Sequence, residues 1–556
     1  MRKGVYLLVA FFIIYRACYA QLPAFPGAEG YGSNTAGGRG GKVLLVTNLN
    51  DHGPGSLREA LEAEFSRVIV FTTGGIINLE TELVIESPYV TVAGQSAPGD
   101  GICIRGERIR ISTHDVVIRY LKSRPGDIDF GPENKWPLVD AISINGRSYN
   151  VIIDHCSLSW AVDENIEVWQ YAHDITIQHC LISEALNHSK HPKGAHGMGM
   201  IIGSKGTRVS VHHNILAHNN DRNPHINGRS IVDFRNNIIY DPGGVASDIG
   251  ANNHQRINYV GNYIIKGPHT GIHDDLIIRN VLNQTPRIYQ SDNIGAANRF
   301  KIGYYEQNDI NSRLHSNETS VLANILLEQP YPSPEITMLP TDRLLDYLPS
   351  EVGATLPTRD PVDKKVIRDI INRKGGLVNR KGNVLEWPPY SQGIPLLDQD
   401  KDGMPDFWEE RYGFDIMLDD SALDADGDEY TNIEEYLNHT NPSGVEDFLT
   451  LGQSPPLASP GSNIDFPPLP LALEKVYPNP YDEMVNLEFS VDRPSKVVIN
   501  VSDGQGREIS RLVESFMYEG KYKIIWNTNG VEPGVYHINI VAGKKSHSVK
   551  TVLARQ

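Results

Sequence analysis

Between residues 90 and 265 the chain repeats one short pattern: a β-branched segment, then polar residues, then a further apolar pair. The copies begin at Val90-Thr-Val-Ala-Gly-Gln95, Val116-Val-Ile-Arg-Tyr-Leu121, Val151-Ile-Ile-Asp-His-Cys156 and Ile175-Thr-Ile-Gln-His-Cys180. Three more follow, Val209-Ser-Val-His-His-Asn214, Val232-Asp-Phe-Arg-Asn-Asn237 and Ile257-Asn-Tyr-Val-Gly-Asn262. Their starts lie 26, 35, 24, 34, 23 and 25 residues apart, so a base period near 24 carries loop insertions, as in a solenoid. Strand-forming residues in every copy, with no amphipathic helix between, predict an all-β right-handed parallel β-helix. A β-sandwich would instead need hairpin turns every 8 to 12 residues.

Stacking the copies places Cys156, Cys180, Asn214, Asn237 and Asn262 in one column and His155, His179 and His213 in the next. Neighbouring rungs lie about 4.8 Å apart, so amides can bond along a column. Both columns read as structural. Cys156 and Cys180 read as ladder neighbours, not as a designed disulfide.

The same repeat assigns a phase to the connecting loops. Asp140, Asp163 and Arg222 fall 11, 12 and 10 residues before the next copy, and Glu167 falls 8 before it. They should project from one side of the solenoid, with the segment His188 to His196 close by. Three converging carboxylates repel one another unless a cation joins them, and oxygen donors suit calcium. Read one at a time, each is an ordinary solvated acid.

Beyond the helix, Asp398, Asp400, Asp402, Asp406 and Glu409 take positions 1, 3, 5, 9 and 12 of a calcium loop, with Gly403 at its turn. Asp424, Asp426, Asp428, Asn432 and Glu435 repeat the spacing, with Glu429 where glycine is expected. Residues 444–475, rich in Pro, Ser and Leu, form a linker. Alternating strands punctuated by Pro, Gly and Asn then predict a small β-sandwich over 476–556.

Lys plus Arg number 51 against 68 Asp plus Glu, a formal charge of −17. Nucleic-acid binding normally needs a basic footprint, so none is expected. An acidic ligand would require local basic groups or recruited cations. Residues 1–20 read as an export signal: Arg2 and Lys3, the apolar run Gly4 to Ile14, then Cys18-Tyr-Ala20. Eleven apolar residues are too few to span a bilayer, although Cys18 leaves a lipoprotein alternative. Export leaves Cys103, Cys156 and Cys180, which is no disulfide framework.

Several motifs resemble bacterial pectate lyases of polysaccharide lyase family 1. They are Phe25-Pro-Gly-Ala-Glu-Gly-Tyr-Gly32, Thr35-Ala-Gly-Gly-Arg-Gly-Gly41, Gly55-Ser-Leu-Arg-Glu-Ala60, Val92-Ala-Gly-Gln-Ser-Ala-Pro-Gly99, Ile153-Asp-His-Cys-Ser157 and Asp221-Arg-Asn-Pro224. The similarity spans about 22 to 390, within a β-helix domain set at 21–390. It implies calcium-dependent β-elimination of pectate or a related uronan, with Asp140, Asp163 and Glu167 as calcium ligands and Arg222 as proton-abstracting base. The family's second arginine, five residues on, is Asn227 here, with Arg229 as a substitute. Its substrate-binding lysine has no clean match; Lys190, Lys193 and His196 are the candidates. A polygalacturonase-like hydrolase and a non-catalytic adhesin are the alternatives.

The segment 391–443 resembles thrombospondin type 3 or dockerin-like repeats, and the sandwich resembles type IX secretion sorting domains. These imply a calcium-stiffened spacer, a partnership with secretion machinery, and export through the outer membrane to the cell surface or medium. A monomer is expected.

Overall fold

The computed structural model describes residues 22–127, 139–203, 205–280, 285–306, 318–379, 386–445 and 470–555. The expected export signal, and the expected linker over 446–469, lie outside the described residues.

Successive strands pass in turn through three parallel sheets of 11, 8 and 9 strands, a parallel β-helix. All seven copies of the repeat are neighbours in the eleven-stranded sheet. Val90 pairs with Val116, and Val151, Ile175, Val209, Val232 and Ile257 follow in the same register. Inward Val and Ile side chains of all three sheets form one continuous buried core. Each coil therefore removes its apolar face from water only by stacking on its neighbours.

Left-handed residues make the corners. Tyr120, His155, His179, His213 and Asn236 have φ between 48° and 56° where the chain leaves the eleven-stranded sheet. Trp160, Glu184, His218 and Asp241 repeat the device at the next corner. Histidine and asparagine tolerate this conformation better than β-branched residues, which explains the polar pair ending each repeat. The imidazoles of His155, His179 and His213 stack with centroids 4.8 and 5.2 Å apart. Beside them an amide ladder runs from Asn214 through Asn237 and Asn262 to Asn293. Cys103, Cys156 and Cys180 are free and buried.

The segment carrying the two acidic loops packs on the first rungs of the helix. Met404, Trp408, Ile433 and Leu437 share a buried cluster with Val68, Val70 and Ala93. Three antiparallel strands then face four others around Phe489, Trp526, Ile499 and Ile540, forming the C-terminal sandwich. Leu396 bridges to Tyr522, and Lys521 Nζ donates to Glu410 Oε2 at 2.6 Å, fastening the sandwich to the loop segment.

Candidate active site

The charged residues singled out by phase converge on the nine-stranded sheet. Asp140 precedes the strand Ile142–Ile144, Asp163 precedes Glu164–Val168, and Arg222 precedes His225–Ile226. The Glu164 N–H donates to Asp140 Oδ1 at 3.1 Å, joining the first two rungs. Glu164 pairs with Met198, and Met198 bridges to Asp221, so Arg222 stands two rungs beyond Asp163. Its guanidinium reaches back over Met198 to an ion pair with Glu164. Arg222 itself has φ 57°, a left-handed turn that lifts its side chain off the strand line.

Carboxylate oxygens of Asp140, Asp163 and Glu164 meet within 4.8 Å of one another. Glu167, on the same strand, pairs with Ser143 of the previous rung and accepts its hydroxyl hydrogen bond. Burial and the nearby Glu167 and Asp163 charges push the Asp140 carboxyl well above the usual range. Burial also raises Glu167. Burial would raise Asp163 too, but the His196 hydrogen bond at 2.8 Å, with the charges of His196, His191 and Arg222, holds it low. Burial lowers the Arg222 guanidinium, and Arg279 adds to that shift against the nearby carboxylates. Crowded, half-desolvated oxygen donors of this kind fit a hard divalent cation, which would remove their mutual repulsion.

The remaining expected binding residues divide. His196 is buried and turned onto Asp163, so it orients an acid at the site. His191 stacks on it, with ring centroids 3.7 Å apart. The Lys193 N–H donates to His191 Nδ1, so the neutral ring carries its proton on Nε2, 3.7 Å from the same Asp163 oxygen. Lys193 itself is exposed, and the Lys190 ammonium lies 3.8 Å from Asp127. Arg229 opens the exposed end of Arg229–Arg235 in the eleven-stranded sheet. It stands on a different face from Arg222, because the chain rounds a corner after Ile226, and the structure does not bring the two together. Phase counting brought His191 in only as part of the segment 188–196, and passed over Glu164 and Arg108, whose Nη1 lies 3.6 Å from Asp140. Each sits within three residues of a position it did flag, or on the adjoining rung.

The two loops at 398 and 424 share one backbone. Asp400 and Asp426 accept from Asp402 N and Asp428 N, each at 3.2 Å; Asp402 and Asp428 accept from Met404 N and Tyr430 N. Asp402, Glu409 and Asp420 bring carboxylate oxygens within 4.8 Å, and Asp398, Asp400 and Asp402 do likewise. Both Glu409 oxygens, and one each of Asp400 and Asp402, are buried without a hydrogen-bond partner among the described residues. Burial and like charge push Asp402 to about 7 and Glu409 to about 9. These atoms fit a cation bound between loop and helix. Asp406 stands apart from them, because its carboxylate accepts from Gln399 N and Nε2 at 2.8 and 2.6 Å. Asp420, outside the twelve-residue spacing, was not legible from it. In the second loop Asn432 donates to the Asp420 carbonyl at 3.0 Å, tying the loops together.

Residues 475–554 match the family described as the secretion system C-terminal sorting domain, which supports export. A probable pectate lyase C of Aspergillus terreus is 34% identical over 463 residues, 80% of this chain and 99% of that protein. A protein of the same name from Emericella nidulans is 34% identical over 452 residues, 80% of this chain and 98% of its own. Among solved structures, a pectate lyase bound to a hexasaccharide covers 61% of this chain and 99% of its own length, at 14% identity and TM-score 0.42.

Proposed function

The chain belongs to the pectate lyase family, and on that premise we propose that it cleaves polygalacturonate, or a closely related uronan, by calcium-dependent β-elimination. The carrying observation is the gathering of the Asp140 and Asp163 carboxylates on adjacent rungs of one sheet, with the Arg222 guanidinium reaching back toward them from two rungs beyond Asp163.

Asp140, Asp163 and Glu167 would hold the calcium, which would supply a countercharge for the substrate carboxylate and for the charge that develops at C5. His196 and His191 both face one oxygen of Asp163, which keeps that acid ionised and leaves its other oxygen for the metal. Arg222, as the neutral guanidine, takes the C5 proton; the C–H electron pair becomes the C4–C5 double bond, and the C4–O bond breaks with its electron pair on the leaving oxygen, which takes a proton from water. Guanidinium is a difficult base, and its burial eases deprotonation. The Glu164 ion pair works the other way, and favours a second role in which Arg222 stays charged and clamps the substrate.

A hydrolase would use one protonated and one ionised carboxyl across the bond, and Asp140 and Asp163 are pushed apart in that sense. Family membership and the adjoining Arg222 weigh for elimination. One assay separates the readings: with added calcium, the chain should release unsaturated, ultraviolet-absorbing oligouronides, and chelator should stop it. Reducing ends without that absorbance would mean hydrolysis, and neither signal would mean a binding protein. The sandwich is then an address for type IX machinery, and the calcium loops are a stiffened joint between it and the helix.

A further inference from the structure

Beyond Arg222, on the side away from the acids, the nine-stranded sheet carries a second charged cluster. His225, Asp248 and Arg279 come from the strands His225–Ile226, Ser247–Gly250 and Leu276–Asn280, three consecutive rungs. Asp248 is 2% exposed, and its Oδ2 accepts from His225 Nδ1 at 2.8 Å and from Arg279 Nε at 2.6 Å. The other oxygen, Oδ1, is buried without a hydrogen-bond partner among the described residues. A buried carboxylate so used fixes the direction of two cationic or polar heads whose own side chains stay 16% exposed.

The placement of Arg279 is specific. Ile226 pairs with Ile249, so Asn227 adjoins Gly250, and Gly250 pairs with Arg279. Arg279 thus shares a column with Asn227, two rungs further along. A Cβ at Gly250 would stand 3.0 Å from Asn227 Oδ1 and 3.7 Å from His225 Cε1, so the bare backbone there lets Asn227 and His225 lie close against the rung. Leu276 and Ile278 point into the core, which turns Arg279 outward. Pinning Nε leaves the terminal guanidinium nitrogens with no other hydrogen bond among the described residues, in the fork that suits a carboxylate.

We propose that Arg279, positioned by Asp248 and His225, binds the carboxylate of the uronate unit next to the one held at Arg222. This rests on the uronan-lyase reading. A polymer laid along the solenoid passes its rungs in turn, so neighbouring sugars meet neighbouring rungs. The acidic side of the groove uses a cation to hold a uronate; this side uses a guanidinium.

The test is steady-state kinetics of the full chain at saturating calcium, on unesterified polygalacturonate and on its methyl ester. Arg279→Ala should raise KM about tenfold on the acid polymer, with kcat changed less than about threefold; Arg279→Lys, keeping charge but not the fork, should raise KM about threefold. On the ester neither variant should move KM. An unchanged KM on the acid polymer in either variant, at a thermal midpoint near wild type, overturns the proposal, and so does an equal rise on the ester. If the wild type turns over no uronan, the lyase reading fails. Calorimetry of polygalacturonate binding then decides on Arg279 separately, through a Kd that rises in Arg279→Ala or does not.

Discussion

Asp398 and Asp424 hold their loops with the same pair of hydrogen bonds. Asp398 accepts from Lys401 N and Gly403 N at 2.7 and 3.1 Å, and Asp424 accepts from Gly427 N and Glu429 N at 2.7 and 2.9 Å. Each turn needs two left-handed residues, and the glycine has changed places: Lys401 and Gly403 at φ 66° and 91°, Gly427 and Glu429 at 83° and 78°. Glu429→Gly should therefore stabilise the chain by about 1 kcal/mol, because a side chain in that conformation costs about 1–2 kcal/mol. Gly403→Ala should do the opposite and more, since its Cβ would stand 2.8 Å from Val43 Cγ1. Denaturant midpoints measure both, and an unchanged midpoint for Gly403→Ala would count against the shared turn.

Removing divalent cations should loosen the joint before the solenoid. Glu409 and Asp402 are buried acids with oxygens that only a proton or a cation can satisfy. A cation at 100 times its Kd would add about 2.7 kcal/mol to the stability of the segment. Calorimetric scans with calcium and with chelator should show a low-temperature transition moving by several degrees. In Glu409→Gln that shift should shrink. A chelator-insensitive scan would mean that the loops hold no metal.

Much of this fold is legible in the sequence because a solenoid writes its register into the chain. Val90, Val116, Val151, Ile175, Val209, Val232 and Ile257 align by pattern and pair in that alignment. The Asn ladder follows from the same counting. Phase gave the rung of Asp140, Asp163 and Arg222 but not the direction of a side chain within a loop. Hence His196 reads as a substrate residue and turns out to face Asp163. Arg279 lies past the last recognised copy, and it is aimed by a hydrogen bond across rungs to Asp248. Nothing in a one-dimensional pattern reports such a contact.

Arg222→Lys distinguishes the two roles of the guanidinium. A clamp needs charge, which lysine keeps, so the rate should fall only a few-fold. A base of matched position contributes about 10²–10⁴-fold, so the elimination rate should fall by that factor if Arg222 removes the proton. We expect the larger loss, with KM changed little. The comparison is made at saturating calcium on unesterified polygalacturonate, and a lysine variant with near-normal turnover would assign the proton to another group.

The histidine corner should make the fold acid-sensitive. Burial lowers His179 to about 3 and His212 to about 4, and carries His213 well below 6.5. Each is neutral when folded and takes a proton near pH 6.5 when unfolded, so the folded pKa is the depressed one. Stability is then complete above pH 6.5 and falls with pH toward the folded values, by up to about 1.4 kcal/mol per pH unit for each histidine. The raised Asp402 and Glu409 carboxyls oppose this trend when no cation is bound. The histidine share is therefore read from denaturation at pH 7 and pH 5 with calcium present, as the difference between wild type and a corner variant. His213→Asn, the residue that Asn236 supplies at the next corner, should reduce the slope by about one proton. A slope identical to wild type would remove His213 from the account.

The amide ladder makes the sharpest stability prediction, because one substitution breaks bonds on two sides. Asn237 Oδ1 accepts from Asn214 N and Nδ2, both at 3.0 Å, and its Nδ2 donates to Val211 O at 2.9 Å and Asn262 Oδ1 at 3.1 Å. The residue is fully buried. Alanine at 237 would leave the Asn214 N–H and the Val211 carbonyl without these partners and without water, at about 1–3 kcal/mol each, plus a small void. We expect a loss of about 3–5 kcal/mol in the guanidinium midpoint with an unchanged slope. At the ladder's end Asn293 is only half-buried, so water can replace its amide, and Asn293→Ala should cost about 1 kcal/mol. Equal losses at the two positions would show that the column is held by backbone stacking, with the amides incidental to it.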